Sequence, residues 1–257
     1  LAATDFPNIE EWKGDVEFQL LKSDFLRLIE STHFSMANQD VRYYLNGMLL
    51  ELTQDRVRTV ATDGHRLALS TATVTSDVSD KRQVIVPRKG ILELARLLGE
   101  GSGEVEVALG NNHIRVRTPG FTFTSKLVDG KFPDYNRVLP KGGNKVILGD
   151  CQALKQGFSR ASILSNEKYR GVRVVLTNGE LRIFANNPEQ EEAEEVVAVD
   201  YQGDELEMGF NVSYLIDVLS TLRSRQAKIT LLDANNSALI ESGDESNAMY
   251  VVMPMRL

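Results

Sequence analysis

The sequence predicts an α+β fold in which one domain occurs twice, each copy with two helices packed on antiparallel β-sheets. The main observation is a long internal repeat. At a shift of 124 positions (171 − 47), residues 47–58 align with 171–182, residues 84–94 with 208–218, and residues 105–107 with 229–231. One shift that holds over three separate elements is improbable by chance, and its length indicates duplicated domains instead of a solenoid of short repeats.

The first half of each copy has the same predicted order. A helix, at 22–34 and at 150–163, precedes two strands of alternating polarity. A short turn joins those strands at 53–56 in the first copy and at 177–180 in the second, and a third strand follows. Helices followed by runs of strands are typical of α+β domains.

The second half of each copy begins with another helix, predicted at 88–98 and 211–225. Pro87 precedes the first of these, where the opening turn of a helix tolerates proline. Two or three more strands close each copy. An apolar stripe at i, i+3, i+4 and i+7 supports the helices: Ile91, Leu94, Ala95 and Leu98 in the first copy, and Leu215, Val218, Leu219 and Leu222 in the second.

The composition is that of a globular protein with two modest cores. The 257 residues are 42% hydrophobic and 25% charged. No apolar run approaches the roughly 18 residues that span a bilayer, and no basic and apolar leader begins the sequence, so we expect a cytoplasmic protein. The single cysteine, Cys151, has no partner for a disulfide or a metal site and is expected to be a small buried residue.

The net charge of −7, from 29 Lys and Arg against 36 Asp and Glu, argues against a broadly basic nucleic-acid-binding surface. The four predicted helices nevertheless hold nine basic and five acidic residues, a net +4 that leaves −11 elsewhere. Helices that face a phosphate backbone would give this split. Ordinary solvated Lys and Arg side chains explain the count equally well.

Several motifs have a plain structural interpretation. Asp63 and His65 could form an acid–base pair, but no nucleophile accompanies them, and a turn with a polar rim is favoured. His33 and His113 lack the spacing of metal ligands. The glycine-rich stretch 99–103 lacks the Lys-Ser/Thr ending of a phosphate-binding loop, and the acidic run 188–195 is typical of a solvated face or strand edge. We expect no metal and no cofactor.

The apolar segment 249–257 needs a wall to cover it, because an exposed apolar patch of this size promotes association. Residues 61–68, a strand end, a turn and a strand start, are the best candidate. Val251, Met253, Met255 and Leu257 on one side and Leu67 on the other could line a cleft, with His65 and Arg66 at its rim. The alternative is that these Met and Leu side chains only fill the core of the second copy.

These two stretches, together with 43–47 and 132–138, resemble the β-subunit family of bacterial DNA polymerase III, the replicative sliding clamps, over the whole chain. The resemblance implies two DNA-clamp domains and no catalysis. It also implies a groove for short peptide motifs, and methionines suit such a groove because they adapt to different partners. The implied groove residues are Leu45, Thr62, Gly64, His65, Arg66, Leu67, Pro133, Arg137, Val138, Asn211, Tyr214, Ser237, Val251, Met253, Pro254, Met255, Arg256 and Leu257.

The resemblance also implies DNA contacts and an assembly. DNA-binding residues would be Gln39, Tyr43 and Tyr44 on one loop and Arg88, Lys89 and Arg96 on a helix. The family forms a head-to-tail homodimeric ring of six domains around duplex DNA and docks polymerase, clamp-loader and repair proteins. Ile163 and Leu164 match the dimer contact.

Residues 1–8 imitate 127–134, the end of the first copy, so 1–14 is predicted to be the tail of a preceding domain. The middle domain would be 15–140 and the C-terminal domain 141–257, which makes the chain a fragment without the N-terminal domain and predicts a monomer. Two other classes stay open: a hydrolase that uses Asp63 and His65, and a peptide-binding scaffold with no nucleic-acid role.

Overall fold

The computed structural model describes residues 14–99, 101–244 and 247–256. Apart from Gly14, the predicted tail at 1–14 lies outside these residues, and so does Leu257. Among the residues described, no helix is long and apolar enough to cross a membrane.

The two repeats have the same order of elements, which confirms the duplicated α+β fold. The first repeat contains β1 (Val16–Leu21), α1 (Lys22–Glu30), β2 (Gly47–Leu52), β3 (Arg56–Thr62), β4 (Arg66–Thr73), β5 (Arg82–Pro87), α2 (Arg88–Leu98), β6 (Glu104–Leu109), β7 (His113–Thr118) and β8 (Phe121–Lys126). The second contains β9 (Lys145–Asp150), α3 (Cys151–Ser162), β10 (Gly171–Thr177), β11 (Glu180–Asn186), β12 (Glu192–Ala198), β13 (Leu206–Asn211), α4 (Val212–Thr221), β14 (Gln226–Leu231), β15 (Ala238–Ser242) and β16 (Ala248–Val252).

Two helices, α1 and α4, end four residues before their predicted ends. At the end of α1 the hydroxyls of Thr32 and Thr59 both donate to the carbonyl of Leu28, at 2.7 and 2.9 Å. The amide of Thr32 donates to the carbonyl of Ile29 and not to that of Leu28, as a continuing α-helix would require. The chain therefore tightens into a separate 3-10 turn at His33–Ser35. Helix α4 ends at Thr221 and not at 225, because Leu222 is already extended, with ψ 128°.

The end of α4 removes two arginines from the predicted helices. Arg225 belongs to the approach to β14, where its carbonyl accepts from the amide of Cys151 at 2.8 Å. Arg223 lies beyond the helix and pairs with Glu30 of α1. The predicted excess of basic residues on the helices is therefore too large.

The predicted alignment of 105–107 with 229–231 is wrong by two residues. Leu21 pairs with Glu104 in the first repeat, and Asp150 pairs with Gln226 in the second, so β6 and β14 correspond at a shift of 122 (226 − 104). Side chains alternate along a strand with a period of two. A two-residue error therefore keeps the same face buried, and polarity alone could not reveal it.

Among the described residues, all the strand pairs are antiparallel, and they form three sheets. Two sheets have four strands each, in the orders β1-β6-β7-β8 and β12-β11-β10-β13. The third has eight strands, in the order β5-β2-β3-β4-β16-β15-β14-β9. The two repeats meet inside it, where β16 pairs with β4 and Val251 lies opposite Leu67. The junction between the repeats is thus a continuous hydrogen-bonded ladder.

Three apolar cores follow from this arrangement. Each repeat has its own core between helices and sheets. The prediction that apolar stripes of the helices face these cores is confirmed, since Ile91, Leu94, Leu215 and Val218 are all buried. Cys151 is buried as predicted, and burial raises the pKa of its thiol.

A third core covers the opposite face of the sheet near the junction. Over it runs the connector, residues 127–144, which leads from β8 to β9.

Candidate functional site

The segment after β16 crosses the junction between the two repeats. The amide of Met253 donates to the carbonyl of His65 at 3.0 Å, on the turn between β3 and β4. Two residues later the amide of Met255 donates to the carbonyl of Gly209 on β13, at 2.8 Å. The predicted wall for 249–257 is confirmed for the described residues, since Val251 and Val252 pair with Leu67 and Arg66. This segment after β16, which is the apolar tail of the chain, therefore touches both repeats.

An open apolar pocket with a volume of about 210 Å³ lies beside this segment. Its floor includes Leu45 and Val251, both buried, while Met253 stands at the mouth with 38% of its surface exposed. We call this site the apolar pocket. It is lined by Arg42, Tyr44, Leu45, Thr62, Gly64, Arg66, Pro133, Val138, Val251 and Met253.

The turn at the rim of the pocket is held by its own side chains. Asp63 accepts from the amides of His65 and Arg66, at 2.9 and 3.1 Å. The hydroxyl of Thr62 donates to the carbonyl of Arg66 and accepts from the amide of Gly64. Gly64 has φ +93°, and a Cβ there would lie 2.8 Å from the Arg42 guanidinium, so both backbone and space call for glycine.

The interpretation of Asp63 as half of an acid–base pair is not favoured by this geometry. Its carboxylate caps the turn and binds Arg66 Nε at 3.1 Å, and the His65 side chain is exposed. The predicted turn with a polar rim describes this segment.

Arg66 joins the rim to the second repeat. Its guanidinium donates to Asp63, to Asp217 of α4, and to the carbonyl of Phe34 at 2.9 Å. It also lies 4.5 Å from the ring centre of Tyr214 and 5.5 Å from that of Phe34. With its donors committed, Arg66 offers the pocket its aliphatic stem more than its charge.

The other predicted groove residues that the structure describes do not line the apolar pocket. Asn211 caps α4 by accepting from the amide of Ser213, which sets the position of Tyr214. Leu67 is buried in the core below the pocket and lines nothing.

Met255 continues away from the pocket toward β10, where its Cε lies 3.5 Å from the position that a Cβ on Gly171 would take. Pro254 is half-buried and Arg256 is exposed beside it. Ser237 precedes β15, whose first residue, Ala238, pairs with Val252. Arg137 is exposed and paired with Asp134, and Leu257 lies outside the described residues.

Both interpretations of the apolar tail thus hold in part. Val251 fills the core, with 1% exposed, whereas Met253 and Met255 remain accessible. The end of β16 at Val252 produces this division, because Val251 lies within the sheet opposite Leu67, whereas Met253 and Met255 follow the last strand.

Sequence reasoning missed Arg42 and assigned Tyr44 only to DNA. Arg42 donates to both oxygens of Asp40 and, at 3.0 Å, to the carbonyl of Asp63, so it bridges the 39–44 loop to the rim. The Arg42 hydrogen bonds lower the pKa of Asp40 to about 2. The only signal in the sequence was the Asp-x-Arg spacing, which many surface loops share.

The predicted DNA-binding residues are arranged unevenly. Gln39, with φ +57°, and Tyr43 are exposed on the loop, and Tyr43 packs edge-on against Tyr44 at 5.7 Å. On α2, Lys89 is exposed, whereas Arg88 donates to the carbonyl of Met36 at 3.2 Å.

Arg96 on the same helix pairs with Glu93. Arg88 and Arg96 therefore have part of their hydrogen-bonding capacity occupied by protein groups, while the net charge of α2 stays as the residue count gives it.

The residues predicted at a dimer contact lie at the end of α3. Ile163 is 76% exposed, and Leu164 is half-buried beside it. A single exposed apolar side chain is ordinary on a protein surface, and the dimer contact stays a prediction.

Within the described chain, no group of three or more His, Cys, Asp and Glu side chains is placed to hold a metal ion. His33 lies 3.1 Å from the carbonyl of Ile29, within hydrogen-bond distance. His113 begins β7, opposite Lys126.

Comparison with known proteins identifies the family. Residues 19–134 match the family model of the DNA polymerase III beta subunit, central domain, and residues 136–256 match that of its C-terminal domain. The chain is 60% identical over 257 residues to the beta sliding clamp of Pseudomonas putida and 54% identical to that of Escherichia coli. In both cases the match covers 100% of this chain and 70% of the relative.

Solved structures agree with this comparison. The DNA polymerase III subunit beta of Pseudomonas aeruginosa superposes with a TM-score of 0.97 at 60% identity, and the same organism's sliding clamp bound to griselimycin with 0.96 at 60%. The griselimycin-bound clamp of Bartonella birtlesii gives 0.93 at 37% identity. Each covers 100% of this chain and 70% of the other. The chain belongs to the DNA polymerase III beta subunit family, the bacterial sliding clamps.

Proposed function

We propose that this sliding clamp docks short linear peptides of its partners in a groove. The groove consists of the apolar pocket and an adjoining surface strip, which runs from Met253 past Met255. As a sliding clamp, the protein is a non-catalytic processivity factor that tethers the replicative polymerase to DNA. The observation that carries the proposal is an open apolar pocket at the junction of two domains, with a hydrogen-bonded rim and a flexible methionine at its mouth.

The chemistry of the pocket defines the ligand. Leu45, Val138 and Val251 form a floor and wall that favour two or three apolar side chains. Exposed polar groups at the rim, such as His65, can orient one polar anchor. Met253 can change rotamer at low cost, which suits one groove to several partner sequences. We assign polymerase, clamp-loader and repair proteins as those partners.

The same proposal covers DNA and assembly. We assign Gln39, Tyr43, Tyr44, Arg88, Lys89 and Arg96 to contacts with encircled duplex DNA, without sequence specificity, because phosphate contacts carry none. The domains are assigned to 15–140 and 141–257. Full-length clamps would close a homodimeric ring in the bacterial cytoplasm, with Ile163 and Leu164 at the contact, and the 257-residue chain would be a monomer.

A titration tests the groove. A fluorescein-labelled hexapeptide with one amide and three apolar side chains should bind with an affinity on the order of micromolar, about 8 kcal/mol, as small interfaces do. Deleting residues 253–257 should abolish binding, because it removes the mouth of the pocket and the strip. Arg96→Ala, on a helix away from the pocket, should leave the affinity unchanged.

Griselimycin provides a second test. We propose that it occupies the same groove in this chain, so it should displace the labelled hexapeptide. Unchanged peptide affinity in the deletion variant, or simultaneous binding of both ligands, would show that the site lies elsewhere.

A further inference from the structure

A buried polar cluster lies beneath the connector, on the face of the sheet that carries the apolar pocket. At its centre is Glu51 of β2, which is 4% exposed. Its cross-strand neighbours are Arg58 on β3 and Gln83 on β5. Gln83 donates to one carboxylate oxygen at 2.6 Å, and Lys81 lies 3.5 Å from the same oxygen. Its other oxygen accepts from the hydroxyl of Tyr135 at 2.8 Å.

The Tyr135 hydroxyl is shared between two charged groups. It donates to Glu51 and accepts from Arg58 Nη1 at 2.8 Å. Burial raises the pKa of Tyr135, so the hydroxyl keeps its proton and can act as donor. The ring itself is 3% exposed and packs in the core below the pocket, with Leu45 and Val251. A single side chain thus links the connector to two strands, β2 and β3.

The connector has few other polar attachments to the sheet. The amide of Val128 donates to the carbonyl of Ile85 at 2.8 Å. Beyond that point, as far as residue 144, the backbone hydrogen bonds to described residues are local, from Arg137 to Asp134 and from Val138 and Leu139 to Tyr135. Packing of the apolar side chains and the Tyr135 hydroxyl therefore hold this stretch in place.

The position of the connector matters because it forms one wall of the pocket. Pro133 and Val138, two residues before and three residues after Tyr135, both line the pocket. Tyr135 is the first residue of the 3-10 turn at Tyr135–Arg137, so a displacement of this turn would move Pro133 and Val138 together.

We propose that Tyr135, Glu51 and Arg58 are positioning residues of the peptide groove: the buried hydroxyl tether sets the distance between the connector wall and the tail segment at Met253. The inference rests on the proposed peptide-docking function and extends it to residues that touch no ligand. A buried hydrogen bond to a charged partner is directional, whereas apolar packing permits sliding, so the tether is suited to fixing a wall.

Tyr135→Phe tests the tether, with Tyr201→Phe as matched control. Tyr201 is also buried, at 5% exposed, and its hydroxyl donates to the carbonyl of Asp204 at 2.8 Å, in a loop of the second repeat that does not line the pocket. Both variants lose the hydroxyl of a buried tyrosine. We expect Tyr135→Phe to bind the labelled hexapeptide roughly three- to tenfold more weakly, as loss of part of a charged hydrogen bond predicts, and Tyr201→Phe to bind like the parent.

A spectroscopic measurement separates positioning from general loss of stability. Asn136 is exposed and the native Cys151 is buried, so an Asn136→Cys variant accepts a spin label selectively. The label should become more mobile in the Tyr135→Phe background and stay unchanged in the Tyr201→Phe background. If Tyr135→Phe does not fold, Glu51→Gln serves in its place, because it removes the charge and keeps the size of the side chain.

The outcomes separate this inference from the proposed function. Equal peptide affinity and equal label mobility in Tyr135→Phe and the parent would overturn the positioning role and leave the groove intact. A parent chain that fails to bind the hexapeptide would overturn the groove itself, and with it this role. Equal losses of affinity in Tyr135→Phe and Tyr201→Phe would also refute it, because they would indicate a general effect of stability.

Discussion

Replacing Arg66 by methionine tests how strongly the guanidinium pins the turn at the pocket rim to the second repeat. Methionine keeps an unbranched stem against the pocket and removes the charge. The lost contacts are the hydrogen bonds to the Phe34 carbonyl and to Asp63, the pair with Asp217, and the contacts with two aromatic rings. The Arg66 side chain is only 12% exposed, so these contacts are poorly screened.

The expected loss in the free energy of unfolding follows from how far each contact is buried. Asp217 is 44% exposed, so its pair is discounted toward the small values of surface ion pairs. The two remaining hydrogen bonds and the ring contacts should contribute about 2–4 kcal/mol to the free energy of unfolding. Urea denaturation followed by circular dichroism measures this loss, provided that the slope against urea is unchanged.

Arg96→Met is the matched control. Arg96 also pairs with an acidic residue, Glu93, but the two side chains are 69% and 47% exposed. Its loss should change the free energy of unfolding by about 0.5 kcal/mol or less. Equal losses for Arg66→Met and Arg96→Met would refute the view that Arg66 is a buried pin between the repeats.

Three other predictions concern Glu51, Met255 and the assembly of the chain. Burial raises the pKa of Glu51, but its hydrogen bonds from Tyr135 and Gln83, with Lys81 and Arg58, outweigh this and lower the pKa below its ordinary 4.5. The stabilisation by the Glu51 carboxylate is therefore present above about pH 4.5 and is lost as the pH falls through the lower pKa of the folded state. Glu51→Gln should flatten the acid limb of a stability–pH curve measured by urea denaturation. An acid limb parallel to that of the parent would contradict this. Met255→Ala should weaken hexapeptide binding by about 1–3 kcal/mol in calorimetric titration, because it removes apolar contact area beside the pocket, and unchanged affinity would exclude the strip past Met255 from the groove. The 257-residue chain should be monomeric by light scattering at micromolar concentration and should bind DNA weakly and with strong salt dependence; a stable dimer, or retention on closed circular DNA in high salt, would oppose the proposed assembly.

Local features of the fold were predictable where short-range chemistry decides them. Helix α2 begins and ends as predicted, after Pro87 and before Gly99, whose φ of +48° ends the helix. The buried stripe of Ile91 and Leu94 follows from spacing alone.

The end of α1 was not predictable in this way. It depends on Thr59, a residue from a strand about 30 positions later that uses the Leu28 carbonyl. Tertiary contacts of this kind override local helix propensity.

The candidate site shows the same division. The two stretches that form the pocket were identified because one is an apolar tail and the other a glycine turn, and both need partners. The role of Arg66 as a pin could not be read from the sequence, since Asp217 lies 151 positions away. The Glu51 cluster was equally hidden: its alternating strand predicts an outward carboxylate, and only the connector, 84 positions later, buries it.

The pairing of β4 with β16 has a consequence for how the chain is made. Val251 and Leu67 lie opposite one another but 184 positions apart (251 − 67). At synthesis rates of about 5–20 residues per second, β4 waits on the order of 10–40 s for its neighbour. During that time its row of amides and carbonyls is an open edge, with Leu67 and Leu69 uncovered by β16, and open edges pair with other chains. The nascent first repeat therefore exposes Arg66–Thr73 as an unpaired strand edge until β16 has been made.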